Sequence, residues 1–227
     1  MKAELISHMG SDLTVVNAAR VSFDKESQWE CILPAGPIEG MLTNKDSKLI
    51  HYLAKHNHFT PFTHCMITLR ETIPIFVARQ RFKHTIGFTY NEVSRRYVDD
   101  DPSFFTPEEW RGKADNVKQG SGENIIDINP ETGSGKAMVD NYQRSLDLCK
   151  WTYNYLLKIG VCPEQARMVL PQSMYTSYYV TGSLSAFARA YKLRTDSHAQ
   201  KEIQELADQW GSVISELYPI SWRALTK

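Results

Sequence analysis

A chain of 227 residues with 26 Lys plus Arg against 26 Asp plus Glu carries no formal net charge, which argues against a dedicated nucleic-acid binder and its basic surplus. The length suffices for one sizeable core, so residues 1–227 are expected to form a single unit, and the 42% hydrophobic and 23% charged fractions are those of a globular protein. No run reaches the length of a membrane span, the N-terminus MKAELISHMGSD lacks an apolar signal region, and Cys31, Cys65, Cys149 and Cys162 show neither CxxC nor metal-ligand spacing, so free thiols and a cytoplasmic location are expected.

In chain order, Ala3 to Ile6 reads as a first strand. Asp12 is expected to cap a helix through Leu13, Val16 and Ala19 that ends near Arg20-Val21-Ser22. Residues 24–43 are rich in Pro and Gly and read as a loop. Asn44 or Asp46 is expected to cap a second helix with Leu49, Ile50 and Leu53 on one face. KHNHFTPFTH, residues 55–64, is broken by Thr60-Pro61. Its His56, His58 and His64 invite a metal reading, but they lack helical-pair spacing and suit hydrogen-bonded loop histidines better. Cys65, Ile67 and Leu69 alternate with Met66, Thr68 and Arg70 as a half-buried strand leading to Pro74.

Pro74 is a good first helical residue, and Ile75, Phe76, Ala78, Arg79, Phe82 and Lys83 recur at helical spacing up to a stop at Gly87. In NEVSRRYV, Val93, Arg95 and Tyr97 alternate with Glu92, Ser94 and Arg96 as a strand. A basic helix end beside a polar strand face would hold phosphates and a planar polar ligand. For RQRFK alone, the plainer reading is a solvated helix face. Residues 99–135 are polar and rich in Asp, Gly, Pro and Asn. Their GSGEN and ETGSGK lack the first glycine of a P-loop, so the segment reads as an insertion or lid. A long helix is expected from about Lys136 to Lys158, closed by Gly160, and Pro163 opens a short helix bearing Arg167. QSMYTSYYVTG reads as extended and Ser183 to Lys192 as helical. Asp196 or Ser197 is expected to cap the last helix, with Ile203, Leu206, Trp210, Val213 and Leu217 facing the core. The expected fold class is therefore mixed α/β, with an antiparallel sheet from strands near 65–71, 93–98 and 174–181 packed by helices.

Four blocks of this chain, in order, resemble the flavin-dependent thymidylate synthases. They are Ala18-Ala19-Arg20-Val21-Ser22-Phe23, the His58-x-Thr60-Pro61-x-x-His64 stretch followed by Asn91-Glu92-Val93-Ser94-Arg95-Arg96-Tyr97, Ala166-Arg167-Met168-Val169-Leu170-Pro171, and Leu193-Arg194-Thr195-Asp196-Ser197-His198-Ala199-Gln200-Lys201-Glu202-Ile203. The family signature Arg-His-Arg, seven residues, Ser is here Lys83-His84-Thr85, eight residues, Ser94. Lys keeps the charge without the bidentate fork, and Thr loses the charge. The family's Asn-x-Arg is Ser183-Leu184-Ser185, and Arg189, one helical turn from Ser185, could return the charge to that face.

The resemblance implies a homotetramer with active sites shared between subunits. It implies reductive methylation of dUMP, with 5,10-methylenetetrahydrofolate as carbon donor, FAD as hydride carrier and NADPH as its reductant. It implies that no cysteine adds to the pyrimidine. Arg194 is the implied catalytic residue, stabilising negative charge on the uracil edge. The implied dUMP ligands are Gln80, Arg81, Lys83, Glu92, Ser94, Arg95, Arg96, Arg167 and Arg194. The implied FAD contacts are His58, Thr60, Lys83, His84, Thr85, Ile86, Asn91, Glu92, Ser183, Ser185, Arg189 and His198. Two alternatives come from other classes: a nucleic-acid-binding module on the basic 79–96 segment, and a metal hydrolase on His56, His58, His64 and His84.

Overall fold

The computed structural model describes residues 1–30, 41–98, 100–114, 121–126 and 134–227; Cys31, residues 32–40 of the expected loop and parts of the 99–135 insertion lie outside them. A four-stranded antiparallel sheet is the frame. Its strands are β1 (Lys2–Met9), β2 (Met66–Pro74), β3 (Phe88–Glu92) and β6 (Tyr175–Ser183), in the order β1-β2-β6-β3. β4 (Arg111–Lys113) and β5 (Ser121–Ile125) form a separate antiparallel hairpin within the insertion, where no strand was expected.

The alternation of β2 and β6 sorts their side chains. Ile67, Leu69, Ile73, Tyr178 and Val180 point into the core. Thr68, Arg70, Thr72, Ser177 and Thr181 form the other face, tied by Thr68–Thr181 and Thr72–Ser177 hydroxyl hydrogen bonds of 2.9 and 3.1 Å. One face packed and one polar is the usual state of an antiparallel sheet. The inner face is covered by helices α6 (Leu184–Arg194), α7 (Lys201–Leu217) and α8 (Pro219–Thr226), through Leu184, Phe187, Ile203, Leu206, Trp210, Ile214 and Trp222. Each such buried side chain contributes about 1.5–3 kcal/mol. Helices α1 (Asp12–Arg20) and α2 (Asn44–Lys55) close one end of the core with Val15, Val16, Ile50 and Leu53. α4 (Ser134–Lys158) and the short α5 (Pro163–Ala166) lie between the insertion and β6.

Several elements differ from the sequence reading. The helix opened by Pro74 is α3 (Ile75–Arg81), with Pro74 the last residue of β2, and it stops six residues before Gly87. The carbonyls of His84, Ile86 and Gly87 are taken by the Tyr90 hydroxyl, the Arg189 guanidinium and the Ser183 N–H, so the chain turns rather than winds. The expected strand at 93–98 is instead β3, Phe88–Glu92. Val93 N–H still reaches Ser177 O at 2.9 Å, but Tyr97 N–H then bonds Ser94 O in a turn. Ser94 Oγ accepts from Arg96 N–H at 3.3 Å, and Arg95 reaches Asp100; such local bonds compete with a sheet ladder.

The caps also move. Ser11 and Thr43 are the N-caps of α1 and α2, and Gln200 that of α7. The carboxylate expected to cap α1, Asp12, instead accepts the Ile220 and Ser221 N–H groups, both at 2.9 Å, and so caps α8. That final helix was not foreseen. Among the described residues no helix is long and apolar enough to cross a membrane.

Candidate active site

The turn from Phe82 to Gly87 joins α3 to β3 and packs beside the start of α6. Gly87 makes the turn with φ +79°, and a Cβ there would lie 2.9 Å from Ala186 Cβ. Arg194, at the C-terminal end of α6, donates from Nε to His84 Nε2 at 2.8 Å and from Nη2 to Gln80 O at 3.1 Å. His84 is buried. Burial first, then the guanidiniums of Arg194, Arg81 and Arg189, push its pKa down to about 4, so the ring is neutral and accepts at Nε2. Nε–H and one Nη2–H of Arg194 share one edge of the guanidinium. Holding that edge against the turn leaves the Nη1/Nη2 edge pointing away as a fork.

Around the same turn, Lys83, Thr85 and Ile86 are exposed, Arg189 donates to Ile86 O at 2.5 Å, and Ser185 lies 3.2 Å from Ser183. Among the described residues neither Lys83 nor Arg189 is paired with a carboxylate. The 3-10 turn Thr60–Thr63 packs against α6 and carries Thr60, with the exposed His58 just before it. Ser183 itself is buried, and its hydroxyl accepts from Ala186 N–H as the cap of α6. His198 is exposed and bonded to Asp196 at 2.9 Å.

A second cluster sits at the other end of β3. Glu92 Oε1 accepts from Thr176 Oγ1 at 2.6 Å. Arg96 lies 3.7 Å from Glu164 of α5, which brings Ser94 and Arg96 against the element that ends in Arg167. Arg96 and Arg167 are exposed, whereas Arg95 is turned to Asp100 at 2.7 Å. Two exposed guanidiniums and a hydroxyl suit a phosphate. Asn91 faces outward between the clusters. β3 itself, four residue steps from Phe88 to Glu92, spans roughly 13 Å at about 3.3 Å per residue.

Arg81 does not belong to either cluster. The expected dUMP contact is corrected: its side chain is 0% exposed and paired with Glu71, also 0%, at 3.1 Å. Its guanidinium carbon lies 4.5 Å from the ring centres of both Phe88 and Trp210. A basic run that buries its middle arginine is not a continuous patch for nucleic acid. What the sequence reading missed is Tyr90. Its hydroxyl accepts from Arg81 Nη1 at 2.7 Å and donates to His84 O at 2.7 Å. Alternation along β3 puts Tyr90 on the inner face with Phe88, which was the available signal. Among the described residues no group of three or more His, Cys, Asp or Glu side chains could hold a metal ion. Cys65 is buried and donates to Ser11 O; burial pushes its thiol up to about 12, so it is no nucleophile at neutral pH.

Set beside known proteins, this chain has many relatives. The profile of the thymidylate synthase complementing protein family matches residues 4–220. The flavin-dependent thymidylate synthase of Thermosipho africanus is 38% identical over 98% of this chain and 90% of its own length. The chain belongs to the flavin-dependent thymidylate synthase family. The synthase of that name from Thermotoga neapolitana is 37% identical over 99% of this chain and 90% of its own. Among solved structures, a UMP/dUMP methylase, PolB from Streptomyces cacaoi, bound with 5-Br dUMP, superposes with a TM-score of 0.80. It is 29% identical and matches 99% of this chain and 94% of its own. The flavin of this family carries a pyrophosphate. Lys83 and Arg189, both exposed, and the hydroxyls of Thr85 and Ser185 are donors of the kind such a group would need.

Proposed function

We propose that this chain is a thymidylate synthase that methylates dUMP reductively, with Arg194 as its catalytic residue. The observation that carries the assignment is the Arg194 guanidinium, anchored on one edge by neutral His84 and the Gln80 carbonyl, with its other edge presented as a fork. Bound reduced FAD supplies the hydride, with 5,10-methylenetetrahydrofolate as the source of the carbon and NADPH as the reductant.

The chain's own residues then have separable tasks. Ser94, Arg96 and Arg167 hold the dUMP phosphate, with Glu92 ordering that cluster and Arg95 bracing it through Asp100. Gln80 and Arg194 address the pyrimidine. Arg194 draws negative charge to the uracil edge as C5 becomes nucleophilic, so no thiol need add to the ring. Lys83, His84, Thr85, Ile86, Ser185 and Arg189 face the flavin, with His58, Thr60, Asn91 and His198 around it and Ser183 supporting the turn from its cap position. The clusters at opposite ends of β3 support sites completed between subunits of a homotetramer. The stripe of Leu148, Trp151, Tyr155 and Ile159, each 48–62% exposed, supports the association. We place the enzyme in the cytoplasm, its insertion at 99–135 forming part of one catalytic unit.

Tritium release from 5-tritiated dUMP, with flavin absorbance and fluorescence on the same samples, tests the assignment. Arg194→Ala should bind flavin as the parent does and lose about a hundredfold or more in rate, the cost of one preorganised donor. Arg194→Lys should recover little, because a point charge cannot present two aligned donors. Near-normal turnover in Arg194→Ala would sink the assignment.

A further inference from the structure

We propose that Tyr90 is a positioning residue for Arg194, the link through which the rigid core fixes the site turn. The inference rests on Arg194 polarising the pyrimidine. The chain of contacts begins with a buried anchor. Glu71 is held by Arg81 Nε and by the Tyr178 hydroxyl. Arg81 in turn packs over the rings of Phe88 and Trp210, 4.5 Å from each centre. A guanidinium 0% exposed, paired through Nε with Glu71 and 4.5 Å from two aromatic ring centres, is closely confined.

From this anchor Arg81 Nη1 donates to Tyr90 Oη at 2.7 Å. An arginine only donates, so the single tyrosine proton must go elsewhere. It goes to His84 O at 2.7 Å, the Arg81 carbonyl being the poorer alternative at 3.4 Å. The His84 backbone is thereby tied to β3, and its ring meets Arg194 Nε. Arg194's second anchor, Gln80 O, belongs to the last turn of the helix that carries Arg81. Both supports of the catalytic guanidinium thus trace back to one buried arginine. Half-buried Tyr90, packed on Phe82 and Tyr178 with ring centres 5.0 and 5.9 Å away, bridges core and turn. Since the turn has Lys83 and Thr85 where its family has arginines, support from beneath substitutes for contacts that its outer face lacks.

Tyr90→Phe keeps the ring and removes one hydroxyl. A misplacement of the order of an ångström at the reacting geometry costs up to about a hundredfold, so kcat for tritium release should fall by about tenfold or more, with KM for dUMP little changed. Residues acting through one another do not add. In the Arg194→Ala background the same change should therefore leave the residual rate within about twofold. Placing 4-aminophenylalanine at position 90 keeps the ring and a donor to His84 O, and should restore part of the lost kcat. Rates are compared below each variant's melting temperature. Should Tyr90→Phe fail to fold, 4-methoxyphenylalanine at position 90, which keeps an acceptor for Arg81 but has no proton for His84 O, decides in its place: normal KM with lowered kcat supports the proposal and parental kcat overturns it. Unchanged kcat in Tyr90→Phe, or a full additive loss in the double variant, overturns the role of Tyr90 while Arg194 stands. Full turnover in Arg194→Ala overturns both.

Discussion

His84 is the residue on which the site's acid behaviour depends. Its pKa is depressed from 6.5 to about 4 by burial and three guanidiniums. The unfolded chain therefore takes up a proton at this position before the native chain does. Stability is fully present above pH 6.5 and is lost as pH falls towards 4. One unit corresponds to about 1.4 kcal/mol, so His84 should cost about 2 kcal/mol between pH 6.5 and 5. Urea melts of the parent and His84→Gln over that range measure it. The difference in slope should be about 1.4 kcal/mol per pH unit, and parallel pH profiles would show that the ring is not neutral in the native state. Arg81 and Glu71 illustrate the opposite case, charges buried together, where removing one partner leaves the other uncompensated.

Among the elements, the turn before β3 and the capping of α8 carry most of the local specificity. Gly87 combines φ +79° with a close approach, since a methyl group on its Cα would lie 2.9 Å from Ala186 Cβ. Gly160, at φ +93°, would meet nothing within 4 Å. Gly160→Ala should therefore cost about 1 kcal/mol of backbone strain alone, and Gly87→Ala about 2–3 kcal/mol because overpacking adds to it. Thermal melts of the two variants separate the terms; equal losses would show that Ala186 yields freely. Asp12 joins the first helix to the last, its two oxygens on the Ile220 and Ser221 N–H groups. No window of sequence around Asp12 contains that partner.

At the scale of the whole molecule, Leu148, Trp151 and Tyr155 of α4, with Ile159 just past its end, form an exposed apolar stripe. Trp151 and Tyr155 stack with ring centres 5.2 Å apart and planes 5° from parallel, both exposed, between Leu148 and Ile159. Spacings of three, four and four residues place all of them on one face. Sedimentation of the parent should show a tetramer, and Trp151→Glu should shift it towards smaller species with a matching loss of turnover, since a subunit alone holds the two clusters at opposite ends of β3. A fully active monomer would overturn the shared-site reading.

The sequence by itself determined the membership in the family, the helices of strong periodicity, the central strands near 65–71 and 174–181, and which segments carry Arg194, Arg167 and Asn91-Glu92. Those are properties of local spacing and residue type, and they are written along the chain. Tertiary structure alone decided that Arg81 lies in the core, that Asp12 caps α8, that the basic helix ends at Arg81, and that His84 is neutral. Each depends on a partner distant in sequence: Trp210 and Glu71 for Arg81, Ile220 for Asp12, and Tyr90, Arg189 and Arg194 for the turn around His84. Burial and charge at those positions are set by what folding brings against them, and an arginine in a basic run reads the same whether it meets a phosphate or a buried carboxylate.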